Sequence, residues 1–271
     1  MDFYQTLENI LTTQRPSEKI AAFKAFYREY HSADIHYNRK NEIIHFEEPS
    51  YSGFCTIVSP RDVPKRKNYA SREGKIFLLH AIAHIEYSAI DLALDAAYRF
   101  HGLPKAYYDD WLKVADDEVR HFEMMETLLS ELGANYGSVD VHNALFEASQ
   151  RTQTLLERMA VVPRYLEANG LDATPEILAK LERQPQDAML EKIQDALAII
   201  LEEEVDHVLK GDQWFEYACQ KEGVGKSVYF EIIEKYYPNA LQKKRSLNVS
   251  ARQEAGFSCN ELNAISGSFV C

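Results

Sequence analysis

The sequence predicts an all-α protein built around a four-helix bundle. Four long segments repeat their apolar residues at the helical period, and a capping residue, glycine or proline bounds most of their ends. Short apolar pieces with strand character are confined to the chain before residue 70. We therefore expect a bundle over residues 71–222, an N-terminal helical and irregular arm over 1–70, and a C-terminal tail over 223–271 that packs on the bundle.

The arm begins with two short helices over residues 1–31, which Pro16 separates. Residues 32–70 contain Pro49, Gly53, Pro60 and Pro64, so an irregular segment with room for a short hairpin is expected there. The tail starts with one helix near 227–236, and its end beyond Pro238 is predicted to be more polar and less regular.

The bundle is predicted to contain one helix per long segment. Ser71 is a candidate N-cap of the first helix, and Gly133 follows the second. The third should bend at Pro163 and stop at Asn169-Gly170, before a short helical insert over 171–186. The predicted helices run over about 71–100, 105–132, 140–168 and 187–221.

Composition restricts the classes of function. The 271 residues include 30 Lys and Arg against 42 Asp and Glu, a formal charge of −12, so nucleic acid is not an expected partner, and the basic run over 61–67 is interpreted as a solvated loop. The chain starts without the features of a signal peptide and shows no span of about 18 uninterrupted apolar residues. The four cysteines form no Cys-x-x-Cys pair and fit a reducing compartment. A cytoplasmic protein without a membrane partner is expected.

Two Glu-x-x-His motifs lie in the predicted bundle, Glu118 with His121 and Glu204 with His207. In a helix this spacing puts both side chains on one face, one turn apart, so that they can address one metal ion. The spacing alone is weak evidence for a metal site, because chance placement of these residue types already gives about one copy. Three copies occur in the sequence. The third copy, Glu42 to His45, lies in the irregular arm and is not expected to bind metal.

The other two long segments each carry one further acid. Glu86 lies among small and apolar residues, and Glu157 lies in a more polar setting where Arg164 is an alternative ion-pair partner. The resulting order, Glu, Glu-x-x-His, Glu, Glu-x-x-His, is the known pattern of di-iron and di-manganese carboxylate bundles. The charge of two divalent ions, Fe and/or Mn, would balance the negative charges of four glutamates. His80 and His84 are spaced for a rival metal pair, but we assign them a structural or second-layer role.

These residues carry a resemblance to the ferritin-like superfamily. The chain is most similar to an uncharacterised bacterial family within it, known as a domain of unknown function, over about residues 60–260. This resemblance implies a ferritin-like four-helix bundle with a dinuclear carboxylate site. The matching strings are His80-Ala81-Ile82-Ala83-His84-Ile85-Glu86, Asp117-Glu118-Val119-Arg120-His121-Phe122, Leu156-Glu157-Arg158-Met159-Ala160, Glu167-Ala168-Asn169-Gly170-Leu171-Asp172 and Glu204-Val205-Asp206-His207-Val208 through Trp214-Phe215.

The leading functional hypothesis is a di-metal oxidoreductase that uses O₂ or peroxide on a small molecule or a modified nucleoside. Its expected metal ligands are Glu86, Glu118, His121, Glu157, Glu204 and His207. One alternative is iron handling, meaning ferroxidase activity, storage or peroxide detoxification. Another is a metal-free helical interaction module whose acids pair with Lys and Arg. The chain could also form a homodimer.

Overall fold

The computed structural model describes residues 1–32, 34–37, 43–65, 67–242 and 246–271. Over these residues the protein is all-α, as predicted, and the described part contains no β-strand. The expected hairpin is not found in it; two isolated bridges occur instead, between Asp2 and His36 and between Ile57 and Val141. The chain divides into two compact units, Met1–Gln150 and Arg151–Cys271.

The first unit contains two short N-terminal helices, two long helices and a short helix at its end. Pro16 occupies the first turn of α2, where its missing N–H removes no helical hydrogen bond, so the predicted break between the first two helices is confirmed. A single 3₁₀ turn covers Ser50–Gly53. The helices are α1 (Phe3–Thr12), α2 (Pro16–Tyr30), α3 (Arg72–Arg99), α4 (Lys105–Glu131) and α5 (Ala144–Arg151).

Helix α3 is the core helix of this unit. The side chain of Ser71 accepts a hydrogen bond from the Gly74 N–H, which confirms the predicted cap. The helix is long and apolar enough to cross a membrane by length and composition, with a mean hydropathy of 1.3 over its most apolar window. Because 72% of that window is buried within the protein, core packing accounts for the same composition.

Helices α3 and α4 form an antiparallel pair. At one end the Arg72 guanidinium donates to the carbonyl of Leu132. At the other end the Tyr107 hydroxyl donates to the carbonyl of Ala96 over 3.1 Å. The five-residue connection between the two helices is typical of antiparallel neighbours. This pairing fixes which residues of α3 and α4 lie at the same level.

The second unit is built on another long helical pair. Its first helix is continuous through α6 (Leu155–Val161), a π-helical segment (Val162–Glu167) and α7 (Ala168–Glu182). Its partner is α8 (Ala188–Glu222), capped by Asp187. Three shorter helices follow. They are α9 (Val228–Tyr236), α10 (Val249–Glu254) and α11 (Cys259–Ser266), so the tail is more regular than predicted.

The third predicted helix has different bounds from those expected. It is broken at residues 152–154 and then continues past Asn169-Gly170 to Glu182, so the predicted insert over 171–186 is largely its continuation. Gly170 does not adopt the left-handed conformation that ends many helices. Pro175 removes one helical hydrogen bond to the Leu171 carbonyl, which instead accepts from the Asn248 side chain over 3.3 Å. A tertiary contact therefore preserves the helix.

The π-helical segment packs closely on α8. A Cβ atom built on Gly211 would lie 2.2 Å from the Cβ of Pro163, so only glycine allows this approach. Beside it, the buried Arg164 guanidinium forms ion pairs with Asp212 and Glu261, each at 2.8 Å. The same guanidinium lies over three aromatic rings, with centroid distances from 4.6 to 4.8 Å. These contacts connect the segment to α8 and to α11.

The cysteines are not all free, although their spacing fits a reducing compartment. Cys259 and Cys271 form a disulfide across the C-terminal helix α11 and the residues after it. Cys55 and Cys219 are buried free thiols.

Candidate metal centre

Three potential metal ligands meet between α3 and α4. Glu86 lies on α3, and Glu118 and His121 lie one turn apart on α4. The His121 Nδ1 atom lies 3.2 Å from a Glu86 carboxylate oxygen and 3.5 Å from a Glu118 oxygen. One donor atom from each residue lies within 4.8 Å of the other two. The antiparallel pair thus brings together three residues that the sequence analysis selected.

All three side chains are removed from solvent. Glu86 is 6% exposed, Glu118 is 2% exposed and His121 is fully buried. Two carboxylates so close together in an apolar interior repel each other and lose hydration, which makes their ionised state costly. A bound cation is one way to compensate that cost. Carboxylate oxygen and imidazole nitrogen also form a donor set that suits iron and manganese.

The electrostatics of the cluster favour retained protons when no metal competes. Burial, and next the neighbouring Glu118 carboxylate, raise the pKa of Glu86 above its usual range. Burial alone would lower the pKa of His121, but contacts with the Glu118 and Glu86 carboxylates outweigh it and raise that pKa. Metal binding at this cluster would therefore have to displace protons.

His80 and His84 contact the loop that follows α4. The His80 Nε2 atom accepts the backbone N–H groups of Gly137 and Val139 at 2.9 and 3.3 Å. The His84 ring lies 2.9 Å from the Tyr136 hydroxyl through Nδ1 and 2.7 Å from a backbone carbonyl through Nε2. Burial lowers the pKa of each histidine to about 4, which is consistent with neutral rings. Both rings hold the loop after α4.

The second unit repeats the local geometry of the motif on α8. The Nδ1 atom of His207 lies 3.1 Å from a Glu204 carboxylate oxygen. His207 is buried, whereas the Glu204 side chain is 14% exposed. The third copy of the motif cannot be compared, because Glu42 lies outside the described residues; His45 Nδ1 is 3.2 Å from the Arg99 guanidinium.

The structure gives Glu157 contacts that do not suit the predicted ligand role. It lies in the first turn of α6 and completes a capping box with Thr154. Its other carboxylate oxygen accepts from Lys235 Nζ at 2.6 Å. Lys235 thus replaces Arg164, which the sequence had suggested as the alternative ion-pair partner. Helix-cap hydrogen bonds and this ion pair occupy both oxygens of Glu157.

Glu157 is also displaced along the helix pair from His207. Pro163 faces Gly211, and the two helices are joined by a short connection, so they run antiparallel. Counting outward from that contact puts Glu157 ten residues along α8 from His207, or about 15 Å at the helical rise. The same counting puts Glu167 at the level of His207.

Glu167, which was not among the predicted ligands, is therefore the carboxylate at the level of His207. It is the last residue of the π-helical segment, and one of its carboxylate oxygens is buried. Such segments are rare and often occur at functional sites. A signal was present in the spacing: Glu86 precedes His121 by 35 residues, and Glu167 precedes His207 by 40, whereas Glu157 precedes it by 50.

The fold and the site define a class: an all-α protein with buried Glu and His residues that could hold a metal ion. The chain belongs to the family described as "Protein of unknown function (DUF455)", whose sequence model matches residues 12–263. It is similar to an uncharacterised protein of Haemophilus influenzae, with 37% identity over 97% of this chain and 93% of that protein. No solved structure matches the chain. The predicted membership of an uncharacterised family is confirmed.

Proposed function

We propose that this protein binds metal through Glu86, Glu118 and His121. The observation that carries the proposal is their convergence: three buried side chains from two helices present donor atoms within 4.8 Å of one another. Their ionised state is costly in an apolar interior, and a divalent cation would stabilise it. The donor set supports iron or manganese over metals that prefer thiolate.

We further propose that the full complement is two ions, iron and/or manganese. The support is the residue pattern: each unit supplies one Glu-x-x-His motif on the second helix of a pair and one carboxylate on the first. In the second unit we assign that carboxylate to Glu167 in place of Glu157.

The activity that best fits such a centre is that of an oxidoreductase. Iron or manganese in this donor set would supply redox chemistry with O₂ or peroxide. The side chains of the chain would hold the ions, exclude water and accept or release protons at the Glu86 carboxylate. A small organic molecule or modified nucleoside is the proposed substrate, and the cytoplasm is the proposed location.

Anaerobic reconstitution with Fe(II), followed by exposure to air, tests the proposal. We expect two ions per chain by elemental analysis and an oxygen-dependent change in the absorption spectrum. Glu118→Gln and His121→Ala should each reduce the bound metal. The matched control is Glu126→Gln, which alters an exposed acid on the same helix and should retain it.

Two results would count against the proposal. Metal content below one ion per chain in the unaltered protein would show that the proposed metal site does not exist. Equal metal content in Glu118→Gln and in the control would show that metal binds elsewhere. The size-exclusion mass separates oxidoreductase from iron storage, since a storage shell would be many times larger than a dimer.

A further inference from the structure

A cavity of about 200 Å³ lies in the first unit, away from the Glu86 cluster. Ser88, Asp91 and Asp95 line it from α3. At 3.6 residues per turn these positions point between about 140° and 200° from Glu86 around the helix axis. The cavity therefore occupies the opposite face of α3 and is independent of the proposed metal site.

The wall of the cavity is apolar on one part and acidic on another. Leu11, Phe46, Leu92 and Phe146 supply the apolar part. Four carboxylates line the rest, and the lining residues in the described part of the chain include no Lys or Arg. These acids are Glu47, Glu48, Asp91 and Asp95.

Among the described residues, cations form ion pairs with the inner two acids, Asp91 and Asp95. Asp91 contacts the fully buried Lys19 ammonium through one oxygen and accepts from Ser50 Oγ over 2.6 Å through the other. Asp95 accepts two hydrogen bonds from Arg99, at 2.7 and 3.1 Å. With both pairs formed, Glu47 and Glu48 leave the cavity with a formal excess of two negative charges.

The hydroxyl group of Tyr51 lies at the inner wall of the cavity. Tyr51 is 1% exposed, and its Oη makes no hydrogen bond of ordinary geometry among the described residues. The hydroxyl lies beside Ser88, and both residues line the cavity. A buried polar group normally has a hydrogen-bond partner, because burying the group without one costs free energy. A ligand in the cavity could supply one.

We propose that this cavity binds a small organic cation, a protonated amine attached to an apolar group. The acidic part would attract the ammonium, whose N–H groups could donate to Asp91 and to the Tyr51 hydroxyl. The leucine and phenylalanine side chains would cover the apolar group. A neutral or anionic compound of the same size lacks the charge complementarity.

Binding of benzylamine, benzyl alcohol and benzoate to the full-length protein at neutral pH tests this proposal by calorimetry. The three probes share one ring and differ in charge. We expect saturable binding of one benzylammonium per chain, at least tenfold tighter than either other probe. Glu118→Gln should bind it equally well, so the result is separate from that for the metal site.

Four variants locate the bound amine. Tyr51→Phe should weaken binding about fivefold to tenfold, and Tyr87→Phe is its control, since that residue also has a buried hydroxyl but does not line the cavity. Asp91→Asn should weaken binding at least tenfold. Because this change could disturb Lys19, Thr12→Trp at the exposed mouth is the second test and should block entry. Equal binding of the three probes, no binding of the amine, or full binding by both Asp91→Asn and Thr12→Trp would overturn the proposal.

Discussion

Metal binding at the Glu86, Glu118 and His121 cluster should strengthen steeply as the pH rises. The pKa of Glu86 is raised by burial and by the Glu118 carboxylate, and the pKa of His121 is raised because the two carboxylates outweigh its burial. Both groups therefore keep a proton at neutral pH in the metal-free protein. A metal ion binds the deprotonated forms, so protons must leave when it enters.

The magnitude follows from the number of protons displaced. By linkage, each displaced proton changes the association constant about tenfold per pH unit while its group is protonated in the metal-free state. With one proton on Glu86 and one on His121, the constant should rise about a hundredfold from pH 6 to pH 7. The association constant rises with pH because the metal-free state carries the extra protons.

Calorimetric titration with Mn(II) in two buffers of different ionisation enthalpy counts these protons directly. We expect about two protons per ion at the first equivalence point near neutral pH. His121→Asn should retain weaker binding and release one proton fewer, because asparagine does not titrate. An affinity that is independent of pH, with no proton release, would refute the assignment of this cluster as the metal site.

Three further predictions concern stability, measured by urea denaturation in the metal-free protein. Gly211→Ala should lower the free energy of unfolding by about 1–3 kcal/mol, because the added Cβ would lie 2.2 Å from the facing proline. Gly170→Ala is the control: its Cβ would meet no atom within 4 Å, so this change should be neutral or stabilising. Glu261→Ala should cost about 2–4 kcal/mol by removing one partner of the buried Arg164; a loss below about 0.5 kcal/mol would contradict this reasoning. His80→Leu should lower the free energy of unfolding by about 1–3 kcal/mol, because it leaves two backbone N–H groups unpaired. In the unaltered protein, the contribution of His80 should make stability fall as the pH drops from about 6.5 to 4, since between these values only the unfolded state binds the proton.

The helices with local end signals could be predicted from the sequence. Ser71 and Asp187 cap α3 and α8 through their own side chains, and Gly223 ends α8 in a left-handed conformation. The same reasoning failed at Asn169-Gly170. There, the Asn248 side chain compensates the carbonyl that Pro175 leaves free, and no local signal reveals a contact so distant in sequence.

The candidate site could be predicted where helical spacing alone determines the geometry. The Glu-x-x-His motifs keep their own glutamate and histidine within 3.1 to 3.5 Å, as the helix requires. Which residue on the partner helix lies opposite depends on how the pair is aligned along its axis. In the first unit Glu86 could be identified because it lies on an almost wholly small and apolar helix face. In the second unit the π-helical segment shifts the helical phase, so a regular 3.6-residue period does not predict which side chains share a face beyond it.

The choice between Glu157 and Glu167 can be decided by paired variants. Glu167→Gln should lower the metal content of the reconstituted protein, because Glu167 is at the level of His207 and has one buried carboxylate oxygen. Glu157→Gln should leave the metal content unchanged and lower stability only slightly, since glutamine can keep the capping box with Thr154 and only the ion pair to the exposed Lys235 is lost. The opposite pattern, with metal lost only from Glu157→Gln, would show that counting along the antiparallel pair misplaces the centre. Because both changes keep the size of the side chain and remove one charge, a difference in metal content between them reports position and not charge.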